Sequence, residues 1–350
     1  MSWSLVSVSY RMSGSGSWQN LLPDEPARRL YAELYPEAEI PEDLSNRHEL
    51  LLSAWRRAAI IKSEGQKILS LGPIMTDEDL EILGPWFEAV SDTMCAAVWE
   101  RLPDYRLLAS RFAGGKSASK EEIENVLTIQ VCAHTLDSWV FALLRRELIG
   151  TYPPRDFAGS FFFWGYAFAK GPERIFGFTT YGGRSGGSLH VIRSHGLDRE
   201  RLKAVLRRRD TFDFLEHFAS DRLTNGVGLT GQDYSGPGFE NTVNLLREVK
   251  ILKPDDPPRL AVPVFTYPDM KLAAELYEAV SAKIIKTFSA GPDELKVLIS
   301  QSTFARCSRP DILCMLFHLA YSYAADKLVK KGVFPDFPRE AGGEWGVWIH

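Results

Sequence analysis

The chain has 350 residues, 45% hydrophobic and 25% charged, with Lys+Arg at 41 against Asp+Glu at 45 and a net charge of −4. At roughly 100–200 residues per domain this suggests two domains or one large one, and the composition excludes disorder as a description of the whole chain. The negative balance excludes a strongly electrostatic polyanion binder, so nucleic-acid contact has to come from a local basic patch.

In chain order, the alternation of Leu5, Val6, Val8 and Tyr10 predicts a strand near 4–10, closed by a Gly/Ser loop containing Gly14-Ser15-Gly16. Apolar residues at helical spacing predict helices over 26–35 and 50–61, the second closing in Ile60-Ile61-Lys62. A polar turn, Ser63-Glu64-Gly65-Gln66, and an extended segment at 68–74 follow. Thr76 then suits a helix N-cap, because its hydroxyl can accept from an unpaired first-turn amide. Long helices are expected at about 77–101 and 121–148. The run Phe161-Phe162-Phe163-Trp164-Gly165-Tyr166 predicts a buried strand at 161–168.

The same order then returns. A strand at 174–181, with Ile175, Phe176, Phe178 and Tyr181, precedes helices over 198–218 and 239–251 and a polar turn at 254–257. An extended segment at 260–265, a Thr266 cap, helices at 267–288 and 310–331, and a strand at 345–349 complete it. Residues 73–80 (PIMTDEDL) match 263–270 (PVFTYPDM), and Glu88-Ala89-Val90-Ser91 repeats as Glu278-Ala279-Val280-Ser281 at the same 190-residue offset. Further on, His134, Trp139 and Arg146 pair with His318, Tyr323 and Lys330, and Trp164-Gly165 with Trp345-Gly346. The expected fold is α+β and mostly helical, in two diverged repeats, 1–170 and 171–350, related by a pseudo-two-fold. Each repeat holds a helix-and-hairpin unit (about 22–76; about 198–266), a helical part (77–150; 267–331) and edge strands (161–168; 174–181 and 345–349). Residues 170–173 lead straight from one closing strand into the next opening strand, a hairpin signal. By symmetry, the opening strand of the first repeat should meet the closing strand of the second, giving one small antiparallel sheet that joins the repeats.

The stretch Leu245-Leu246-Arg247-Glu248-Val249-Lys250-Ile251-Leu252-Lys253, followed by Arg259-Leu260-Ala261-Val262, resembles the recognition helix and wing of the ArsR- and MarR-like bacterial regulators. The corresponding part of the first repeat, 50–74, has the same order. The resemblance implies a tandem winged helix-turn-helix protein whose long helices serve dimerisation or sensing. It implies double-stranded DNA as partner, with His48, Arg56, Arg57 and Lys62 as contacts in the first unit and Asn241, Asn244, Arg247, Lys250 and Lys253 in the second. Asn and Arg side chains suit bidentate contacts to base edges, and Lys suits phosphate. The densest basic stretch, Arg199, Arg201, Lys203, Arg207, Arg208 and Arg209, reads as a solvated helix face or as additional DNA contact.

Other chemistry is weaker. The loop 181–188 (YGGRSGGS) has glycine enough to cradle phosphate but lacks a P-loop ending and the dinucleotide GxGxxG. Gly14-Ser15-Gly16 is not a nucleophile elbow. His190, His195 and His217 have no second motif of metal-ligand spacing beside them, and Cys95, Cys132, Cys307 and Cys314 form no CxxC, so no metal or cofactor is expected and the cysteines read as reduced thiols. His134 and His318 are either satisfied core histidines or walls of a symmetric pocket, with Trp139, Tyr323 and Trp164, for a small apolar or aromatic ligand. The longest apolar run, 161–169, is far short of the roughly 20 residues that cross a bilayer, and the N-terminus lacks a signal-peptide pattern. The expectation is a cytoplasmic DNA-binding transcriptional regulator, a single-chain pseudo-dimer, monomeric or weakly dimeric, that responds to a small ligand and has no membrane partner. No catalytic residue is assigned. The competing expectations are a small-molecule-binding or enzymatic α+β protein without DNA contact, and a protein-interaction scaffold.

Overall fold

The computed structural model describes residues 8–113, 119–172, 175–182, 188–193, 239–248, 251–254, 262, 264–290, 292–333, 335 and 345–349. The expected helix at 198–218 with its basic stretch, the segment 255–261, Lys250, His195 and His217 lie outside the described residues. The protein is α+β and mostly helical, with two four-stranded sheets and one three-stranded sheet among the described residues. It forms two compact units: Met1–Val90 with Ala142–Glu173 and Lys286–Ala320, and Ser91–Phe141 with Arg174–Ile285 and Tyr321–His350.

In the first unit β1 (Ser9–Gly16) leads to α1 (Glu25–Glu33), β2 (Glu37–Glu39), α2 (Glu42–Arg47), α3 (Glu49–Arg57) and the hairpin β3 (Ile61–Glu64) and β4 (Lys67–Ser70). β4 lies between β2 and β3, antiparallel to both. Asp24 starts α1 by accepting from the Ala27 amide at 2.8 Å. Tyr31 on its buried face donates to Ile60 O and accepts from the Gly72 amide, each at 3.1 Å, and lies 2.6 Å from Ser70 Oγ. One hydroxyl thus ties α1 to both ends of the hairpin. Trp55 of α3, fully buried, packs edge-on against Tyr31 and donates to Leu21 O at 2.7 Å.

A second sheet in this unit is centred on β7 (Gly159–Ala167), which runs antiparallel to β1 and to β6 (Pro154–Arg155) and parallel to β5 (Ile74–Thr76). Two expectations are corrected here. The first strand runs over Ser9–Gly16, through the residues read as a Gly/Ser loop. A Cβ on Gly14, whose φ is 131°, would lie 2.6 Å from Ser160 O, so glycine is what lets β1 approach β7 that closely. Nor, among the described residues, does any strand pairing join 1–170 to 171–350 in the expected common sheet. β1 pairs with β7, while β8 (Gly177–Gly182) pairs with β9 (Ser188–Arg193), and β9 with β11 (Trp345–Ile349), itself parallel to β10 (Val264–Phe265). β7 already has β1 on one edge and β5 on the other, so it offers no edge to β8, and the hairpin expected across 170–173 does not form.

α4 (Asp77–Glu100), α6 (Lys120–Ile149), α8 (Tyr267–Ala290) and α10 (Arg309–Lys330) are the long helices, with α5 (Leu102–Phe112), α7 (Phe239–Glu248) and α9 (Pro292–Gln301) shorter. α5 and α9 lie in stretches for which the sequence predicts no element; α5 follows α4 after the single residue Arg101. α6 and α10 are long and apolar enough to cross a membrane by length and composition, yet 78% of each apolar window is buried within the protein, as in core helices. α4 and α8 are both 24 residues long. Thr76 donates to Asp79 Oδ2 from its hydroxyl at 2.8 Å and its amide at 3.0 Å, and Thr266 does the same to Asp269 at 2.7 and 3.0 Å. Leu83, Phe87, Val90, Ser91 and Met94 are buried on α4, as are Ala273, Tyr277, Val280, Ser281 and Ile284 on α8. Glu88 and Glu278 are both exposed.

Candidate functional site

α3 and the hairpin β3–β4 are assembled from local signals. Glu49 in the first turn and Arg56 and Arg57 in the last complement the helix dipole. Leu52, Trp55 and Ala58 are buried, which leaves Leu50, Ser53, Arg56 and Arg57 as an exposed stripe. The hairpin pairs Glu64 with Lys67 around Gly65, whose φ of 65° suits a two-residue turn. Between helix and hairpin, Ala59 takes φ 52°, a conformation usually left to glycine at a helix C-terminus.

That C-terminus is held by a buried ion pair. Arg155 Nη2 donates to Asp311 Oδ2 at 2.6 Å, with side-chain exposures of 2% and 0%. Arg155 also donates to the carbonyls of Ala58 (3.2 Å), Ala59 (2.9 Å) and Phe161 (3.2 Å), so one guanidinium satisfies the end of α3 and the edge of β7 together. Asp311 Oδ1 accepts from the Phe163 amide at 2.9 Å. Burial pushes the Asp311 carboxyl up, against the pull of the guanidinium and the amide. Next to it, Ser308 N donates to Leu71 O at 2.7 Å and the Cys307 thiol to Ser70 O at 3.4 Å. Burial raises that thiol, so it stays protonated.

The predicted contact residues divide. Arg56 is exposed and donates to Ser63 Oγ at 2.7 Å. Arg57 faces Asp156 at 3.2 Å and Lys62 faces Glu64 at 2.9 Å, both as exposed pairs of little energetic weight. His48 is half-buried at the start of α3. On α7, Asn241 and Asn244 are exposed opposite the buried Thr242, Val243 and Leu246, and Arg247 is half-buried. Lys253 donates to Glu122 at 2.9 Å. Burial alone would raise Glu122, but the amide and hydroxyl of Ser119 and the Lys253 ammonium bring it down to about 2.

The predicted ligand residues fall into two groups. In the first unit, His318 donates from Nδ1 to Cys314 O at 2.8 Å and packs against Trp164, and burial brings it down to about 4. In the second, His134 lies 3.4 Å from the Tyr277 hydroxyl, Trp139 packs against the same Tyr277, and Tyr323 is half-buried. His134 sits where α6 widens to π geometry, over Ile129–Trp139, a device frequent at functional sites. Among the described residues no three His, Cys, Asp or Glu side chains gather as a metal site.

A cavity of about 270 Å3 lies within the first unit. Its walls are apolar, among them Trp86, Phe288, Ile299 and Leu316, and the charged residues that line it are Lys296 and Arg309. Nothing in the sequence singled it out, because its walls come from separate stretches of the chain, Trp86 of α4, Leu144 and Leu148 of α6, Phe288 of α8, and α9 and α10. No protein-family model matches the chain, and no curated protein or solved structure is significantly similar to it.

Proposed function

We propose that this chain is a duplicated, tandem winged-helix protein that binds double-stranded DNA as a single-chain pseudo-dimer and acts as a transcriptional regulator in the cytoplasm. One observation carries the reading. The order helix, strand, two helices and hairpin over 25–70, with β4 between β2 and β3, is that of a helix-turn-helix closed by a wing, and it leaves the outer stripe of α3 uncovered within its unit. The duplication is supported by α4 and α8, alike in length, in their Thr–Asp caps and in the positions they bury. It is also supported by the two four-stranded sheets. In each, the strand entering the 24-residue helix runs parallel to a Trp-Gly strand, which is antiparallel to a third.

The test is fluorescence anisotropy of the full chain with labelled duplexes at low salt. Replacing Arg56 and Arg57 together by Ala should weaken binding and lower the slope of log affinity against log salt by about 2. An unchanged slope, or no duplex bound more tightly than a random pool, refutes the DNA reading. A second reading, contact with a protein, has its own support: Leu50 is 90% exposed on α3, and 42–70 carries five basic against four acidic side chains. Leu50→Ser should spare duplex binding on the first reading and abolish partner capture on the second.

A further inference from the structure

We infer that the cavity of the first unit binds an amphipathic carboxylate, an acyl or aryl acid of about the size of octanoate, and that its occupancy is transmitted to α3 and the hairpin. The transmission rests on the reading of that helix and hairpin as the working surface; the binding does not.

The size comes from the volume. At about 30 Å3 for each water-sized atom group, 270 Å3 admits on the order of ten non-hydrogen atoms. The chemistry comes from the lining. The walls are aromatic and aliphatic, so they favour a hydrocarbon or ring over a sugar or nucleotide. Both charged lining residues are cations, Lys296 on α9 and Arg309 at the start of α10, so the polar end of the ligand carries negative charge. The Arg309 side chain is exposed and makes no hydrogen bond or ion pair among the described residues, whereas that of Lys296 has only the exposed Asp293, at 2.9 Å. A carboxylate reaching the guanidinium therefore displaces little.

The transmission comes from the segment 307–312, which has two faces. Cys307, Arg309 and Ile312 line the cavity. On the other side, Cys307 bonds Ser70, Ser308 bonds Leu71, and Asp311 holds the arginine that caps the carbonyls of Ala58 and Ala59. A ligand that shifts the start of α10 acts on the β4 end of the hairpin and on the C-terminus of α3 through bonds already made. It needs no contact with the helix itself.

Calorimetric titration of the full chain with octanoate and with octanol tests the site. Saturable binding of octanoate is expected, weakened about tenfold by Arg309→Gln while octanol is unaffected. Leu313→Trp, which fills the space, should abolish both, and Ile299→Phe replaces it should the larger substitution impair folding. No saturable octanoate binding to the wild-type chain, or binding indifferent to the filling variant, overturns the site. Equal weakening of octanoate and octanol by Arg309→Gln, or none, overturns the carboxylate assignment. Hydrogen exchange of amides 58–72 with and without octanoate tests the transmission, and unchanged protection there refutes it. Altered exchange in a chain that binds no duplex upholds this inference while refuting the DNA reading.

Discussion

Asp311→Asn removes the charge that balances Arg155 while keeping the side chain's shape. The pair is 2% and 0% exposed, so the guanidinium left behind cannot turn to water. It keeps the neutral carbonyls of Ala58, Ala59 and Phe161, and the one amide oxygen that replaces the carboxylate can serve either the guanidinium or the Phe163 amide but not both. Breaking a buried pair in this way costs about 3–5 kcal/mol, against a typical domain stability of about 5–15 kcal/mol. Arg155→Met removes the charge from the other side, strands the carboxylate, and should cost a similar amount. The double variant Arg155→Met/Asp311→Leu strands neither charge. It still deprives the Phe163 amide and the α3 carbonyls of partners, at about 1–3 kcal/mol for each that stays dry. It should therefore lose markedly less than the two single variants added together. Urea unfolding followed by tryptophan fluorescence is the assay, since Trp55 and Trp164 are buried in the same unit. Single variants within about 0.5 kcal/mol of wild type, or strict additivity in the double, would refute the reasoning.

Ala59→Gly should raise stability by about 0.5–1 kcal/mol, because it relieves an alanine held at φ 52°; calorimetry would show a higher Tm, and an unchanged or lower Tm would count against the strain. His318 is about 4 in the folded chain against an ordinary 6.5, so its neutral, buried ring contributes stability that is complete above pH 6.5 and lost as pH falls toward 4, about 3 kcal/mol in all. His318→Gln should lack that part of the acid slope when urea midpoints at pH 7 and pH 5 are compared; equal slopes would contradict the burial argument. Val90→Ala and Val280→Ala, both at buried positions of matching helices, should each cost on the order of 1–3 kcal/mol by thermal melts, and melts unchanged by both would argue against their packing roles.

Much of the local structure was legible in the sequence. The Thr76–Asp79 and Thr266–Asp269 caps, the apolar faces of α3, α4 and α8, the polar turn that became the β3–β4 hairpin, and the aromatic strand β7 all follow from spacing and capping within a few residues. Such signals are decided by neighbours along the chain. What only the tertiary structure decided is long-range. Whether glycine at position 14 ends a strand or lets two strands close up depends on Ser160, and whether β8 can meet β7 depends on β1 and β5, which already occupy both edges of β7. The commitment of Arg57 to Asp156 and of Lys253 to Glu122 depends on partners far away in the chain, as does the capping of α3 by Arg155. The cavity beside Arg309 is a gap left by side chains that each have an ordinary core pattern, and a pattern carries no record of the space its neighbours leave unfilled.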